Sequence, residues 1–533
     1  MIYLFFLLFF PLVVTLIVFP MVAKLYSKAG KNEADAKVPI KNIMVWLEII
    51  QKPKWWLALF FVPVINYMNV YSMITDMLID MGEKKTWNRV KAAVFPIPFL
   101  LSYANDDQWK FIGKGGVPAG KPIPKKSQSR EWFDAILYAV IAATFIRMLL
   151  FEAYNIPTSS MEKTLRVGDF LFVSKFHYGP RVPNTPIAFP FAHHTMPVIG
   201  GKAYSDIIKL SYYRLPGFQS VKRNDMVVFN FPAGDTLTKE FDSARPYYDI
   251  ERDSGYAYVN ARYTILTRPV DKRENYIKRC VAIAGDTIQL KSDVLYVNGT
   301  KAWEAPTAQH SYLVETDGSI IPDDLNIEFD FYDNVQVVQI YYDSVFVPFS
   351  YHADELTGQT FNLYRVCCTK ETMENIKTLP YVKSVKSFTE KGLQPSIAFF
   401  PNSDLINTWD VNNYGPLWIP KTGVTIALNP QNVARYRRCI INYEMNTLEE
   451  KAGKYFINGQ AATTYTFKMD YYWMMGDNRN NSQDSRYWGF VPEDHVVGKA
   501  WVIWMSKDEH KGLPAGLRFN RIGTFVHSKF VPH

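Results

Sequence analysis

The chain has 533 residues, 48% of them hydrophobic, 15% aromatic and 21% charged. That composition excludes a disordered or collagen-like chain, which lacks the apolar side chains needed for burial, and a length prior of roughly 150 residues per domain suggests about three units. The 59 Lys and Arg against 51 Asp and Glu leave a formal charge of +8, too mild an excess over such a length to imply nucleic acid. Much of the basic charge lies between apolar runs near the N-terminus, which points to a lipid bilayer instead. Cys280, Cys367, Cys368 and Cys439 are the four cysteines; they exclude a disulfide-dense scaffold and contain no CxxC pair for a structural zinc.

In chain order, the first element is an uncharged run from Ile2 to Ala23, long enough to cross a hydrocarbon core of about 30 Å as a helix. It has no basic leader and no small-residue cleavage site, so it reads as a membrane span and not as a removed signal peptide. A second apolar run, Trp55 to Leu78, is long enough to span but is weakened by Pro63, Asn66 and Asn69. A third, Ala92 to Leu101, is short and holds two prolines, which suits a re-entrant or interfacial segment. Residues 1–113 thus form an N-terminal membrane region. The linker 114–134 contains Lys114, Lys121, Lys125, Lys126 and Arg130 among Gly and Pro, as flexible cytoplasmic segments do. The last apolar helix spans 135–152, and because basic segments resist translocation it delivers residues 153–533 to the outer side of the membrane. Arg147, near its far end, can snorkel to the interface.

After Phe151 short alternating apolar runs take over, such as GDFLFVSKF, DMVVFNF, NYIKRCVAIAGD and VVGKAWVIW. This period-two pattern predicts a mainly β domain closed as a barrel or sandwich. Three segments stand above it: NIPTSSMEKTLRVGDF from Asn155, NYIKRCVAIAGD from Asn275 and GDNRNNSQDSRYWG from Gly476. A serine hydrolase needs a base beside its hydroxyl and donors facing the oxyanion. None of the nine histidines falls in these segments. A lysine can replace histidine where burial drives its pKa toward neutrality, and Lys278, flanked by Tyr276, Ile277, Val281 and Ile283, has such surroundings. On residue type alone it reads first as an ordinary strand lysine facing water.

The stretch FIRMLLFEAYNIPTSSMEKTLRVGDFLFVSKFHYG resembles the membrane-exit and nucleophile region of bacterial type I signal peptidases, which are membrane-bound Ser/Lys proteases. SVKRNDMVVFNFP at Ser220, NYIKRCVAIAGD and GDNRNNSQDSRYWG resemble that family's later boxes, in the same order. The resemblance implies Ser160 as nucleophile, Lys278 as general base, Thr158 with the Ser160 N–H as the oxyanion hole, and Ser482 as the group orienting the lysine. It further implies Asp477, Asp484 and Arg486 as supporting charges and Tyr154, Ile156 and Ile277 as walls of shallow substrate pockets. Ser159 departs from the pattern, standing where the family commonly has glycine. The implied activity is removal of signal peptides from secretory pre-proteins after small residues of the A-x-A type, through an acyl-enzyme and without cofactor or metal. The implied place is the bacterial inner membrane, multi-pass, with the catalytic domain outside.

Other readings compete. Ser160 to Lys163 is an S-x-x-K string, and Tyr296 to Asn298 and Lys421 to Gly423 supply Y-x-N and K-T-G strings in penicillin-binding order. That family sets its serine on a helix, which Gly168 and Asp169 cut short. A catalytically inactive membrane scaffold, or a soluble self-cleaving repressor-type protease, accounts less well for Ser160 and Lys278 occurring together with apolar helices. Residues about 300–454 exceed what the boxes require and are expected to form an inserted β-rich subdomain. In it Cys367 and Cys368 are too close to bridge each other, while either can meet Cys439 or stay a thiol. His193 and His194 lack a third ligand for a metal.

Overall fold

The computed structural model describes residues 10–61, 65–118, 121, 127–241, 245–319, 335–337, 340–342, 345–347, 352–354, 359–361, 363–388, 399–406, 408–508, 511–512 and 514–531. The chain divides into two compact units, Met1–Phe145 and Ile146–His533.

The first unit is helical: α1 (Phe10–Met21), α2 (Lys41–Ile49), α3 (Ile65–Asp80), α4 (Thr86–Val94) and α5 (Pro96–Asn105), followed by the start of α6 (Gln128–Leu149). Its core gathers Phe19, Val22, Tyr26, Trp46, Met73, Met77 and Leu100. Phe19 stacks on Trp46 with ring centroids 4.0 Å apart, and the Trp46 indole N–H, which needs an acceptor once buried, donates to the Met73 carbonyl at 3.0 Å. The apolar runs of the sequence are subdivided here. Trp55 to Leu78 is shared between a 3-10 helix, Lys54–Phe61, and α3, with Pro63 outside the described residues. Ala92 to Leu101 breaks between α4 and α5, where Pro96 opens a new helix as proline does at a first turn. The beginning of the Ile2 run and Lys125 and Lys126 of the linker also lie outside the described residues. Among the described residues one helix, Glu131–Leu149, is long and apolar enough to cross a membrane.

The second unit is mainly β, built on a curled half-barrel sheet. Its strands are β1 (Phe151–Asn155), β2 (Asp169–Ser174), β3 (Met226–Asn230), β4 (Asn275–Ala282), β5 (Thr287–Lys291), β6 (Val294–Val297), β7 (Gln309–Thr316), β8 (Leu363–Thr369), β9 (Val382–Ser387), β10 (Tyr414–Trp418), β11 (Tyr471–Met475), β12 (Val491–Pro492), β13 (Val496–Ser506) and β14 (Thr524–Phe525). The main sheet runs β1-β2-β13-β3-β4-β11-β12 with β14 on β13. Every pairing in it is antiparallel. β3 and β11 are buried at every position, so both sheet faces are covered and the sequence there reads as continuous apolar runs. Gly498 lets β2 close on β13, since a Cβ there would stand 2.5 Å from the Ser174 carbonyl oxygen.

The described residues between 300 and 454 contribute to two different cores. β7, β8 and β9 form a sheet with a small core of its own, containing Val314, Val366, Cys368, Met373 and Ile376. Tyr414 and Leu417 of β10, with Tyr436 of α7 (Pro430–Arg438), instead join the core that holds Trp473 and Phe490, and β10 pairs with β5. All four cysteines are free and buried, so the bridge to Cys439 allowed by the sequence is not formed.

Candidate active site

β1 ends at Asn155, and the chain crosses extended Thr158 into a single 3-10 turn, Ser159–Met161. Met161 and Leu165 anchor that turn in the core beneath, which leaves the Ser160 hydroxyl facing outward. Across from it, Lys278 lies on β4 directly opposite Val227 of β3. β11 pairs with β4 only from Arg279 onward. This arrangement brings Lys278 Nζ to 2.6 Å from Ser160 Oγ.

Lys278 is 4% exposed. Burial pushes its pKa down to about 8, while Asp484 and Asp477 pull the other way and Arg486 adds to the depression. Removing water from an ammonium without giving it a counter-ion favours the neutral amine. The Tyr276 ring centroid is 5.7 Å from the amine. A hydroxyl hydrogen-bonded to such an amine is a nucleophile and base within proton-transfer reach.

The loop from Gly476 to Gly489 holds this pair in place. The Asn478 backbone N–H donates to the Ser160 carbonyl at 3.1 Å, its side-chain amide donates to the Ser159 carbonyl at 3.1 Å, and the Asn481 amide donates to Ser159 Oγ at 3.0 Å. Gly476 must be glycine, since a Cβ there would stand 2.2 Å from Ser482 Oγ and 2.5 Å from the Ser160 carbonyl oxygen. Beneath the loop, Asp477 takes two bonds from Arg279, at 2.7 and 2.6 Å, and one from the Thr164 hydroxyl at 2.6 Å. Burial opposes ionisation of Asp477, but Arg279 holds its carboxyl below the ordinary range. Asp484 is likewise buried and held down by Arg486, which donates at 2.9 and 2.8 Å, and by the Gly476 N–H at 3.0 Å. The three charged residues expected as supports are therefore a paired, fully buried framework around the loop.

A cleft of about 410 Å³ opens over Ser160. Tyr154, Ile156, Thr158 and Ile277 line it together with Ser160 and Lys278, and Val228, Asn275, Asn481 and Gln483 complete its walls. All three expected pocket residues are present. Thr158 is exposed at the rim and its side chain caps no backbone group. Ser482 is buried beside Gly476, but its hydroxyl makes no hydrogen bond, so the expected bond to Lys278 is not made in this structure and Ser160 takes the amine instead. Lys163, the alternative base, has a left-handed backbone (φ 67°) just after the turn, and Ser160 bonds Lys278. Asn478, inside the Gly476 box but given no role from the sequence, clamps the nucleophile turn, and Cys367, whose thiol donates to Asn478 Oδ1 at 3.0 Å, lies 111 positions away and leaves no local signal. Among the described residues no three His, Cys, Asp or Glu side chains are grouped to hold a metal ion.

The family described as signal peptidase, peptidase S26, matches this chain over residues 129–347 and 423–505, and a family of unknown function, DUF5684, matches residues 34–114. Signal peptidase I of Buchnera aphidicola subsp. Acyrthosiphon pisum is 26% identical over 408 residues, covering 75% of this chain and 84% of that protein. Signal peptidase I of Haemophilus influenzae is 25% identical over 409 residues, covering 76% and 77%. A shorter match, 48% over 65 residues, is to signal peptidase I of Pseudomonas fluorescens and covers 10% of this chain and 22% of that protein.

Proposed function

From a chain that belongs to the peptidase S26 signal peptidase family, we propose a membrane-anchored serine endopeptidase in which Ser160 attacks the pre-protein and Lys278 is the base. It removes signal peptides. The observation that carries the assignment of the dyad is the 2.6 Å contact between Lys278 Nζ and Ser160 Oγ on the floor of the cleft.

Neutral Lys278 accepts the Ser160 proton as Oγ attacks the scissile carbonyl, the ammonium then protonates the leaving amine, and an acyl-enzyme remains. Water enters as the second nucleophile, gives its proton to Lys278, and the lysine returns it to Ser160. The Ser160 N–H and the Thr158 hydroxyl meet the oxyanion at the rim. Ser482 Oγ, a buried hydroxyl without a partner, accepts from the amine when Ser160 is acylated and so keeps the base aimed. Substrate lies extended between Tyr154–Pro157 and the edge of β4 that β11 leaves unpaired, as added strands do. Ile156 and Ile277 shape shallow pockets for small residues of the A-x-A type.

The bilayer is the second partner. Glu131–Leu149 is the anchor preceding the catalytic domain, with the basic segment before it on the cytoplasmic side and the residues after it outside. Further spans in the N-terminal region make the protein multi-pass, and the β7-β8-β9 module is the inserted subdomain. Ser160 follows the anchor by about eleven residues, so enzyme and emerging signal peptide meet in one plane, which raises their effective concentration. The test is cleavage of a fluorogenic A-x-A peptide by wild type, Ser160→Ala, Lys278→Ala and Lys163→Ala. Cleavage surviving in Lys278→Ala, or lost in Lys163→Ala, overturns the dyad.

A further inference from the structure

Next to the catalytic cleft is a second chamber of about 300 Å³, to which Arg252, Arg435, Arg437, Arg438 and Asp249 contribute, with Gln483 shared between the two cavities. The separating wall is aromatic: Phe231, on the chamber side, stacks at 4.6 Å on Tyr276, on the cleft side. Two of the four arginines are already matched. Arg252 bonds Asp249, and Arg438 bonds Asp235 at 3.1 Å and the Tyr443 hydroxyl at 2.8 Å. The other two are not matched. Arg437 is exposed and has no carboxylate partner among the described residues. Arg435 lies with its guanidinium 5.9 Å from the Trp409 ring, and its Nε is buried with no acceptor. That N–H lies too deep for an incoming group to reach, but the two Nη ends of the fork make no hydrogen bond among the described residues and Arg435 lines the chamber; a guanidinium fork suits a carboxylate. The end of α7 favours cations through its dipole, but that field satisfies no individual N–H.

We infer that this chamber is a subsite for an acidic stretch of the pre-protein, in which Asp or Glu side chains meet Arg435 and Arg437 where the chain leaves the cleft past Gln483. The inference rests on the proposed use of the Ser160 cleft. It adds a charge preference at a distance from the scissile bond, where the shallow pockets beside Ser160 do not reach.

The experiment uses the full-length protein in detergent and A-x-A peptides in which one Glu, or one Gln, is walked along the chain on both sides of the cut. One window of positions should give a Glu-to-Gln ratio in kcat/KM of about fivefold, as expected for partly exposed charge pairs, collapsing at high salt. The ratio should fall to one in the double variant Arg435→Gln/Arg437→Gln. Arg437→Glu, an exposed change, should reverse the preference toward a Lys peptide and covers the case in which the double variant does not fold. Cleavage of the Gln peptide, which Ser160→Ala abolishes, reports on the dyad, whereas the ratio reports on the chamber, so the two readings fail separately. A ratio of one at every position in wild type overturns the inference, as does a ratio unchanged by the variants. Stimulation by phosphatidylglycerol vesicles over phosphatidylcholine vesicles, lost in the variants and without any Glu effect, also overturns it in favour of a lipid phosphate.

Discussion

Val227 on β3 stands between two buried lysines, Lys499 on β13 and Lys278 on β4, each directly opposite it in register. Lys499 is 5% exposed and meets the buried carboxylate of Asp225 at 2.6 Å. Lys278 is 4% exposed and meets a hydroxyl at 2.6 Å. Burial is equal; the partner differs. Lys499 is ion-paired to a carboxylate and serves the packing of the sheet, whereas the hydroxyl beside Lys278 offers no counter-charge and burial lowers that amine's pKa to about 8. The nearby carboxylates that would restore the charge, Asp477 and Asp484, are already committed to Arg279 and Arg486.

The comparison breaks most visibly in activity. Ser160→Ala and Lys278→Ala should each lower kcat by at least about 10⁴-fold, with near-native circular dichroism, as removing one member of a unit does. The next effect is on stability. Asp225→Ala strands Lys499 as an uncompensated buried charge and should destabilise the fold by about 3–5 kcal/mol, read from the denaturant midpoint. Lys278→Met removes an amine that has no counter-ion and should instead stabilise the protein at neutral pH by about 1–3 kcal/mol. The folded pKa of about 8 lies below the ordinary lysine value of 10.5, so the unfolded chain binds the proton more tightly. The gain is therefore full below about pH 8 and disappears as pH rises through 10.5; urea titrations across that range check it.

A smaller effect belongs to the loop. Asn478→Ala removes the amide bond to Ser159 and the acceptor of Cys367. It should lower kcat about 10–100-fold with little change in KM, because it loosens the nucleophile and not the substrate walls. Smallest of all, Ser159→Ala should keep kcat/KM within about threefold, since among the described residues its hydroxyl bonds only a side-chain amide at the rim.

How much of this was legible in the sequence follows from how local each feature is. Ser160 and Lys278 were singled out by the resemblance of the short motifs around them, and Tyr154, Ile156 and Ile277 lie in or next to the same segments, at the end of β1 and on β4. Period-two runs located β2, β3, β4 and β13. The helical breaks within the first unit depend on which side of each apolar run finds core, as Trp46 does against Phe19 and Met73, and hydropathy along one segment does not encode that. The division of residues 300–454 was hidden for a related reason. Tyr414 and Tyr436 belong to the core around Trp473, whereas β7 reaches the catalytic loop, where Gln309 N–H donates to the Asp477 carbonyl at 2.8 Å and Arg479 N–H to the Gln309 carbonyl at 2.9 Å.

Catalysis by this dyad requires Lys278 to act as a neutral amine on Ser160, and the pH dependence of single-turnover acylation by an A-x-A peptide tests that most directly. The rate should rise by the loss of one proton with a midpoint near pH 8, where burial places the lysine, and level off above it. A profile that stays flat from about pH 6 to about pH 10, or acylation of Lys278→Ala at a comparable rate, would contradict it.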